Sequence, residues 1–109
     1  SWKQAEAARD ESGGLIDMVS DDAIIAAYKQ LATGDGIYAE PASCASVAGL
    51  LKLAKSGYFL KNRPAGEDAT IVCILTGHGL KDPDRAIKTI GKPKVVKASK
   101  EAILNEIGY

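Results

Sequence analysis

Short apolar runs alternate along this chain with segments whose apolar residues recur at helical spacing. Four of the runs predict β-strands, at residues 15–19, 37–39, 70–75 and 95–96. A segment that predicts a helix follows each run. Because strand and helix alternate four times, the pattern predicts right-handed βαβ units around a mainly parallel sheet. The expected fold is therefore α/β, in a single domain that spans residues 1–109.

Residues typical of helix starts support this division of the chain. Ser, Asp and Pro are favoured at or next to the first turn, where they accept or replace unpaired backbone N–H groups. These residues are Ser20, Pro41, Asp82 and Ser99. A further helix-forming segment covers residues 2–11, and polar residues 62–66 predict a loop.

Two motifs stand where α/β folds bind ligands. The first begins at Glu40 and opens a helix from an acidic corner, and the second, at residues 76–83, follows the most apolar strand. Thr76 either offers its hydroxyl to a ligand or caps the next turn. Glu40 either faces a ligand or is a solvated acid near a helix amino terminus. The two glycines of the second motif allow a sharp bend or a close approach to a ligand.

Other chemically active residues favour structural roles. Ser43 is near enough to the corner to reach a ligand, but a local hydrogen bond is the favoured interpretation. His78 is the only histidine, so it cannot form a zinc site, and a role within its loop is expected. Cys44 and Cys73 lack metal-ligand spacing and predict buried free thiols.

The charge balance restricts the partners. Lysine plus arginine and aspartate plus glutamate each number 14, so no net field attracts nucleic acid or anionic lipid. The basic stretch at residues 92–100 therefore predicts a solvated face. No apolar run reaches the roughly 20 residues that cross a bilayer, and the first residues lack a secretion signal. The expected location is cytoplasmic, with no nucleic-acid or membrane partner.

The two motifs resemble the C-terminal part of threonine synthase. The matching segments are YAEPAS at residues 38–43 and TGHGLKD at residues 76–82, and the similarity extends over nearly the whole chain. This family uses pyridoxal 5'-phosphate on the fold shared with the tryptophan synthase β chain and threonine dehydratase, called fold type II. Related dehydratases carry similar acidic corners, so the second segment is the one that favours threonine synthase.

The resemblance implies a reaction and a cofactor site. The family converts O-phospho-L-homoserine and water to L-threonine and phosphate. Thr76 would hydrogen-bond the pyridine nitrogen of pyridoxal phosphate, and Glu40 would lie close to the ring. A neutral hydroxyl suits an unprotonated nitrogen, which favours elimination and replacement over transamination. Cys44 departs from the small residue, often alanine, expected at its position.

The family's Schiff-base lysine and its phosphate-binding loop match nothing in this chain. Helix-forming residues begin at Trp2 without a cap, so we expect a piece of a longer enzyme that is inactive alone. Exposed apolar edges would then make it self-associate, as a homodimer.

Two alternatives remain open on the sequence alone. One is a threonine or serine dehydratase on the same fold. The other is an autonomous flavodoxin-like regulatory or binding module, whose acids at strand ends would accept a phosphoryl group. Those acids are Asp21, Asp22, Asp82 and Asp84.

Overall fold

The computed structural model describes residues 1–62, 66 and 68–109, so residues 63–65 of the predicted polar loop lie outside the described residues. Within this part of the chain there are six α-helices and two short 3-10 helices. The α-helices are α1 (Trp2–Ser12), α2 (Asp21–Gly34), α3 (Ala45–Lys55), α4 (Tyr58–Lys61), α5 (Pro83–Ile90) and α6 (Lys100–Ile107). The 3-10 helices are Pro41–Cys44 and Gly79–Lys81.

The predicted helix starts are confirmed. Ser20, Asp82 and Ser99 each accept a hydrogen bond from the backbone N–H three residues later, at 3.3, 3.1 and 3.2 Å. Pro41 begins the 3-10 helix that leads into α3, and its missing N–H leaves no donor unpaired there. These local signals therefore locate the helices correctly.

The predicted parallel sheet is wrong. No sheet is present among the described residues, where the β-type pairing is an isolated antiparallel bridge between Ala39 and His78. In the run at 70–75, which was expected to be a central strand, Val72 and Ile74 are 80% and 71% exposed. A strand needs a neighbour for its backbone N–H and C=O groups, and the four apolar runs do not pair with one another. The apolar content of a run indicates that its side chains need to be buried. It does not show that the run itself forms a strand.

The core lies between α2 and α3 and extends to the acidic corner. Tyr28 and Cys44 are its largest fully buried side chains. The buried cluster consists of Ala27, Tyr28, Leu31, Ala39, Cys44 and Ala48. Three alanines allow the two helices and the 37–39 segment to approach closely. Neither α1 nor α6 contributes a buried residue.

No helix in the described part of the chain is both long enough and apolar enough to span a bilayer.

Candidate functional site

The structure brings the acidic corner and the hydroxyl turn into direct contact. The Ala39–His78 bridge joins them, with the Glu40 N–H donating to the Gly77 carbonyl at 2.8 Å. On the other side of the bridge, the Gly79 N–H donates to the Tyr38 carbonyl at 3.0 Å. The two motifs, more than 30 residues apart in sequence, therefore form one continuous surface.

The two glycines of the turn make this contact possible. A Cβ on Gly77 would overlap the Glu40 Oε2 atom, and a Cβ on Gly79 would lie 2.5 Å from the Tyr38 ring. Neither glycine has a positive φ, so a left-handed bend is not the reason for them. Their role in the described structure is close approach to the acidic corner, where a side chain would force the segments apart.

Ser43 links the corner to Thr76. Its Oγ lies 3.0 Å from the Thr76 Oγ1 and accepts the Gly77 N–H at 2.7 Å. Ser43 is only 5% exposed, whereas Thr76 is exposed. The expectation of a purely local hydrogen bond for Ser43 is therefore wrong, because the 3-10 turn after Pro41 directs this hydroxyl across to the other motif.

Glu40 forms an ion pair that the sequence did not indicate. Its Oε2 lies 2.9 Å from the Lys81 Nζ, and its side chain is 17% exposed against 70% for Lys81. Glu40 is the N-cap residue of the 3-10 helix, but its side chain accepts no capping hydrogen bond. The partner of the carboxylate is therefore Lys81, which the Gly79–Lys81 turn brings over the corner, and not a first-turn amide.

His78 has the structural role that the sequence predicts. Its Nδ1 accepts the Leu80 N–H at 3.1 Å and so caps the 3-10 helix that follows. Its ring also packs edge-on against Tyr38, with 5.6 Å between the ring centroids. Tyr38 in turn packs against Tyr28 of the core, at 6.4 Å. This aromatic series fixes the turn on the core.

The cysteines are free thiols, as expected. Cys44 is fully buried, and its Sγ donates to the Glu40 carbonyl at 3.4 Å. Burial raises the pKa of the Cys44 thiol, so it remains protonated and supports the corner from beneath. Cys73 is only half-buried and lines an apolar groove beside α3.

That groove is separate from the motifs. It has a volume of about 350 Å³ and lies between the 15–19 segment, α3 and the 71–73 segment. Neither Glu40 nor Thr76 lines it. The candidate site is therefore the polar surface at the corner, and the groove reflects incomplete cover of the apolar runs.

Three curated relatives illustrate the similarity of this chain to known proteins. The threonine synthase of Halalkalibacterium halodurans is 48% identical over 108 residues, which is 98% of this chain and 29% of the relative. The threonine synthase of Methanosarcina acetivorans is 50% identical over 97 residues, covering 89% of this chain and 22% of the relative. The threonine synthase of Mycobacterium leprae is 38% identical over 108 residues, covering 99% and 28%. No family model matches the chain.

These matches concern one region of the relatives. The chain spans less than a third of the length of the three relatives, and the shared region is their C-terminal part. All three relatives are threonine synthases, so the resemblance of this chain to the C-terminal part of that family is confirmed.

Proposed function

We propose that this chain is the C-terminal part of a pyridoxal-phosphate-dependent lyase that converts O-phospho-L-homoserine and water to L-threonine and phosphate. One observation carries the proposal: the two segments that resemble threonine synthase pack together and leave the Thr76 hydroxyl at the surface. The threonine synthase names of the relatives support the same activity.

Thr76 has the chemistry that a pyridine nitrogen requires. Its side chain is exposed and neutral, and its Oγ1 is already hydrogen-bonded to the hydroxyl of buried Ser43. A hydroxyl in this position can donate a hydrogen bond outward to an unprotonated ring nitrogen. Pyridoxal phosphate, when bound, supplies an electron-withdrawing ring that stabilises negative charge developing on the substrate. Thr76 would hold that ring without adding charge to it.

Glu40 would shape the electrostatics beside the ring. Its carboxylate is mostly covered and is paired with Lys81, whose ammonium group faces solvent. An unpaired carboxylate at the nitrogen would favour the protonated ring. Pairing with Lys81 holds Glu40 in place and offsets its charge, which is consistent with a neutral contact from Thr76.

The described residues give no support to a flavodoxin-like module. Such a module gathers several acids in one place, where they accept a phosphoryl group and bind a metal ion. No three His, Cys, Asp or Glu residues among those described lie close enough to hold a metal ion. Asp82 is instead the capping residue of α5.

The test uses the longer protein that contains this chain, loaded with pyridoxal phosphate, and compares its activity on O-phospho-L-homoserine with its activity on L-threonine. We expect phosphate and L-threonine in equal amounts from O-phospho-L-homoserine, and little 2-oxo acid from L-threonine. Thr76→Val should lower kcat/KM about tenfold or more, as expected when a hydrogen bond to the reacting system is lost. Thr70→Val, six residues earlier at an exposed position, is the control and should leave kcat/KM unchanged. Production of 2-oxo acid without phosphate release would assign a dehydratase instead.

The isolated chain is expected to be inactive, because no residue in it matches the family's cofactor-binding lysine. Incubation with pyridoxal phosphate should give no stable absorbance band in the visible or near-ultraviolet range. A stoichiometric band that disappears when one lysine of this chain is replaced would contradict this.

A further inference from the structure

Ser43 is the buried polar side chain of the core region, and its hydrogen bonds lead directly to the proposed cofactor contact. It is 5% exposed, and its Oγ contacts both the Thr76 hydroxyl and the Gly77 backbone N–H. All three groups are in the turn or the corner, so they form one short chain of polar groups from the core to the surface.

The number of protons on each group determines the direction of these hydrogen bonds. The Gly77 N–H can only donate, so the Ser43 Oγ is the acceptor at 2.7 Å. The Ser43 hydroxyl has one proton, and a buried proton of this kind is nearly always donated to an acceptor. Among the described residues, the acceptor within hydrogen-bond distance of that hydroxyl is the Thr76 Oγ1, at 3.0 Å.

The reverse direction would leave a buried donor unpaired. If Thr76 donated to Ser43, the Ser43 Oγ would accept two hydrogen bonds and its own proton would have no partner among the described residues. The arrangement in which Ser43 donates to Thr76 is therefore favoured. It leaves the Thr76 proton directed toward a ligand outside.

We propose that Ser43 is a positioning residue that holds the Thr76 hydroxyl as an outward-facing donor, and thereby selects an unprotonated pyridine nitrogen. This inference depends on the proposed function, because it takes the Thr76 contact to the cofactor as given. It adds that the neutral state of the ring nitrogen is set by a buried serine in the other motif.

Ser46 provides a matched control. It lies three residues after Ser43 and joins the same helix start to the 70–75 run that precedes Thr76, since its Oγ is within hydrogen-bond distance of the Ser43 carbonyl, at 3.2 Å, and of the Ile74 carbonyl, at 3.3 Å, and its single proton is shared between them. It makes these contacts without touching the Thr76 hydroxyl. Replacing Ser46 therefore weakens the packing of the same two parts of the chain. It leaves the direction of the Ser43–Thr76 hydrogen bond unchanged.

The experiment measures cofactor binding and cofactor protonation in the protein that carries this chain. The pyridoxal-phosphate dissociation constant and the pH midpoint of the bound cofactor's absorbance are determined for wild type, Ser43→Ala, Ser46→Ala and Thr76→Val. We expect Ser43→Ala to raise the dissociation constant about fivefold, the effect of one hydrogen bond. We also expect it to move the pH midpoint upward, because a released Thr76 hydroxyl can turn and accept a hydrogen bond from the protonated ring nitrogen, which stabilises the protonated form. Ser46→Ala should leave the pH midpoint unchanged.

Two further variants keep the outcome clear. Ser43→Cys preserves the size of the side chain if Ser43→Ala fails to fold, and its weaker thiol donor should give the same upward shift. In the Thr76→Val background, Ser43→Ala should cause no further shift, since the hydroxyl that it orients is gone.

The possible results separate this inference from the proposed function. If Thr76→Val alters cofactor binding but Ser43→Ala behaves like Ser46→Ala, the positioning role is overturned and the proposed function stands. A shift of the midpoint by Ser43→Ala that persists in the Thr76→Val background also overturns it. If the wild-type protein binds no pyridoxal phosphate, the proposed function fails and this inference fails with it.

Discussion

Gly79 is a residue at which a single added methyl group would disturb the candidate site. A Cβ there would lie 2.5 Å from the Tyr38 ring, which is held between the core and the turn. Because an aromatic ring packed on both sides cannot move aside easily, we expect Gly79→Ala to destabilise the protein by about 1–3 kcal/mol. The change is measured as a fall in the thermal unfolding midpoint.

Gly49 in α3 is the matched control for this substitution. Nothing lies within 4 Å of a Cβ built on Gly49, so Gly49→Ala should be neutral or should stabilise the helix by up to about 1 kcal/mol. Equal unfolding midpoints for the two alanine variants would contradict the close packing of the turn against Tyr38.

The Tyr28 hydroxyl is a second residue-scale feature with a measurable consequence. The ring is 2% exposed, and its hydroxyl makes no hydrogen bond of good geometry among the described residues. Burial raises the pKa of Tyr28 above its usual value, and the neighbouring Tyr38 hydroxyl adds to the rise in its pKa. We expect Tyr28→Phe to leave the unfolding midpoint unchanged or to raise it, since a buried unpaired hydroxyl costs about 1–3 kcal/mol.

The pH dependence provides a separate check on Tyr28. A raised pKa in the folded state means that the stabilisation is complete below the usual tyrosine pKa of about 10 and is lost as the pH rises from there through the higher folded pKa. The wild type should therefore lose more stability above pH 10 than Tyr28→Phe does. Tyr109→Phe, at an 88% exposed position, is the control. A lower midpoint for Tyr28→Phe at neutral pH would show that its hydroxyl is paired.

Residue types and local spacing predicted some features of the site and could not predict others. Thr76 and Glu40 were singled out from the sequence because each lies in a motif of the expected composition, and their contact with a cofactor stays a prediction. The Ser43–Thr76 and Glu40–Lys81 contacts join residues 33 and 41 positions apart, and no local pattern specifies such pairs. The sequence did carry one signal for these contacts. Gly77 and Gly79, on either side of His78, indicated that the turn approaches another segment closely, but they did not indicate which segment.

At the scale of elements, helices could be predicted and strands could not. Capping is a local interaction between a side chain and backbone three residues away, so Ser20, Asp82 and Ser99 marked helix starts correctly. A strand depends on a neighbour elsewhere in the chain, and the apolar runs gave no information about that neighbour. The short helix Tyr58–Lys61 was missed because four residues carry too little periodicity to detect.

The 15–19 segment, one of the mispredicted strands, is tied to α3 by Lys52. The Lys52 Nζ donates to the Asp17 Oδ2 at 2.6 Å and to the Met18 carbonyl at 2.8 Å. The hydrogen bond from Lys52 lowers the pKa of Asp17, and the Met18 N–H adds to the effect. We expect Lys52→Met to raise the pKa of Asp17 toward its usual value of about 4, as followed by NMR titration of the carboxyl group.

The direction of the pH effect follows from the lowered pKa. The contribution of Asp17 to stability is present above the usual aspartate pKa and is lost as the pH falls through the lower folded value. Lys52→Met should remove this part of the acid dependence. Lys55→Met, on the same helix and with the same change of charge, should leave the Asp17 titration unchanged. Identical titrations in wild type and Lys52→Met would show that the tether is absent in solution.

At the scale of the whole molecule, the chain is much less compact than a domain of its length. Its radius of gyration is 19.0 Å, whereas a compact domain of this size has about 13 Å. Large apolar side chains remain exposed in the 70–75 run and before α6, including Val72 and Val95 at 80% and 97%. One small core between α2 and α3 is covered, and many large apolar side chains elsewhere among the described residues remain exposed.

This exposure supports the prediction that the isolated chain self-associates. The apolar groove beside α3 is open to solvent, and the 70–75 run next to it exposes Val72 and Ile74, at 80% and 71%. Burying apolar area is worth about 25 cal/mol per Å², so two chains should join through these surfaces.

Light scattering over a concentration series should report a dimer that becomes monomeric in a Val72→Glu, Ile74→Glu double variant. Val95→Glu introduces the same charge in the segment before α6 and should leave the dimer intact. A wild-type chain that stays monomeric at high concentration would contradict the prediction, and dissociation by Val95→Glu alone would move the contact away from the groove.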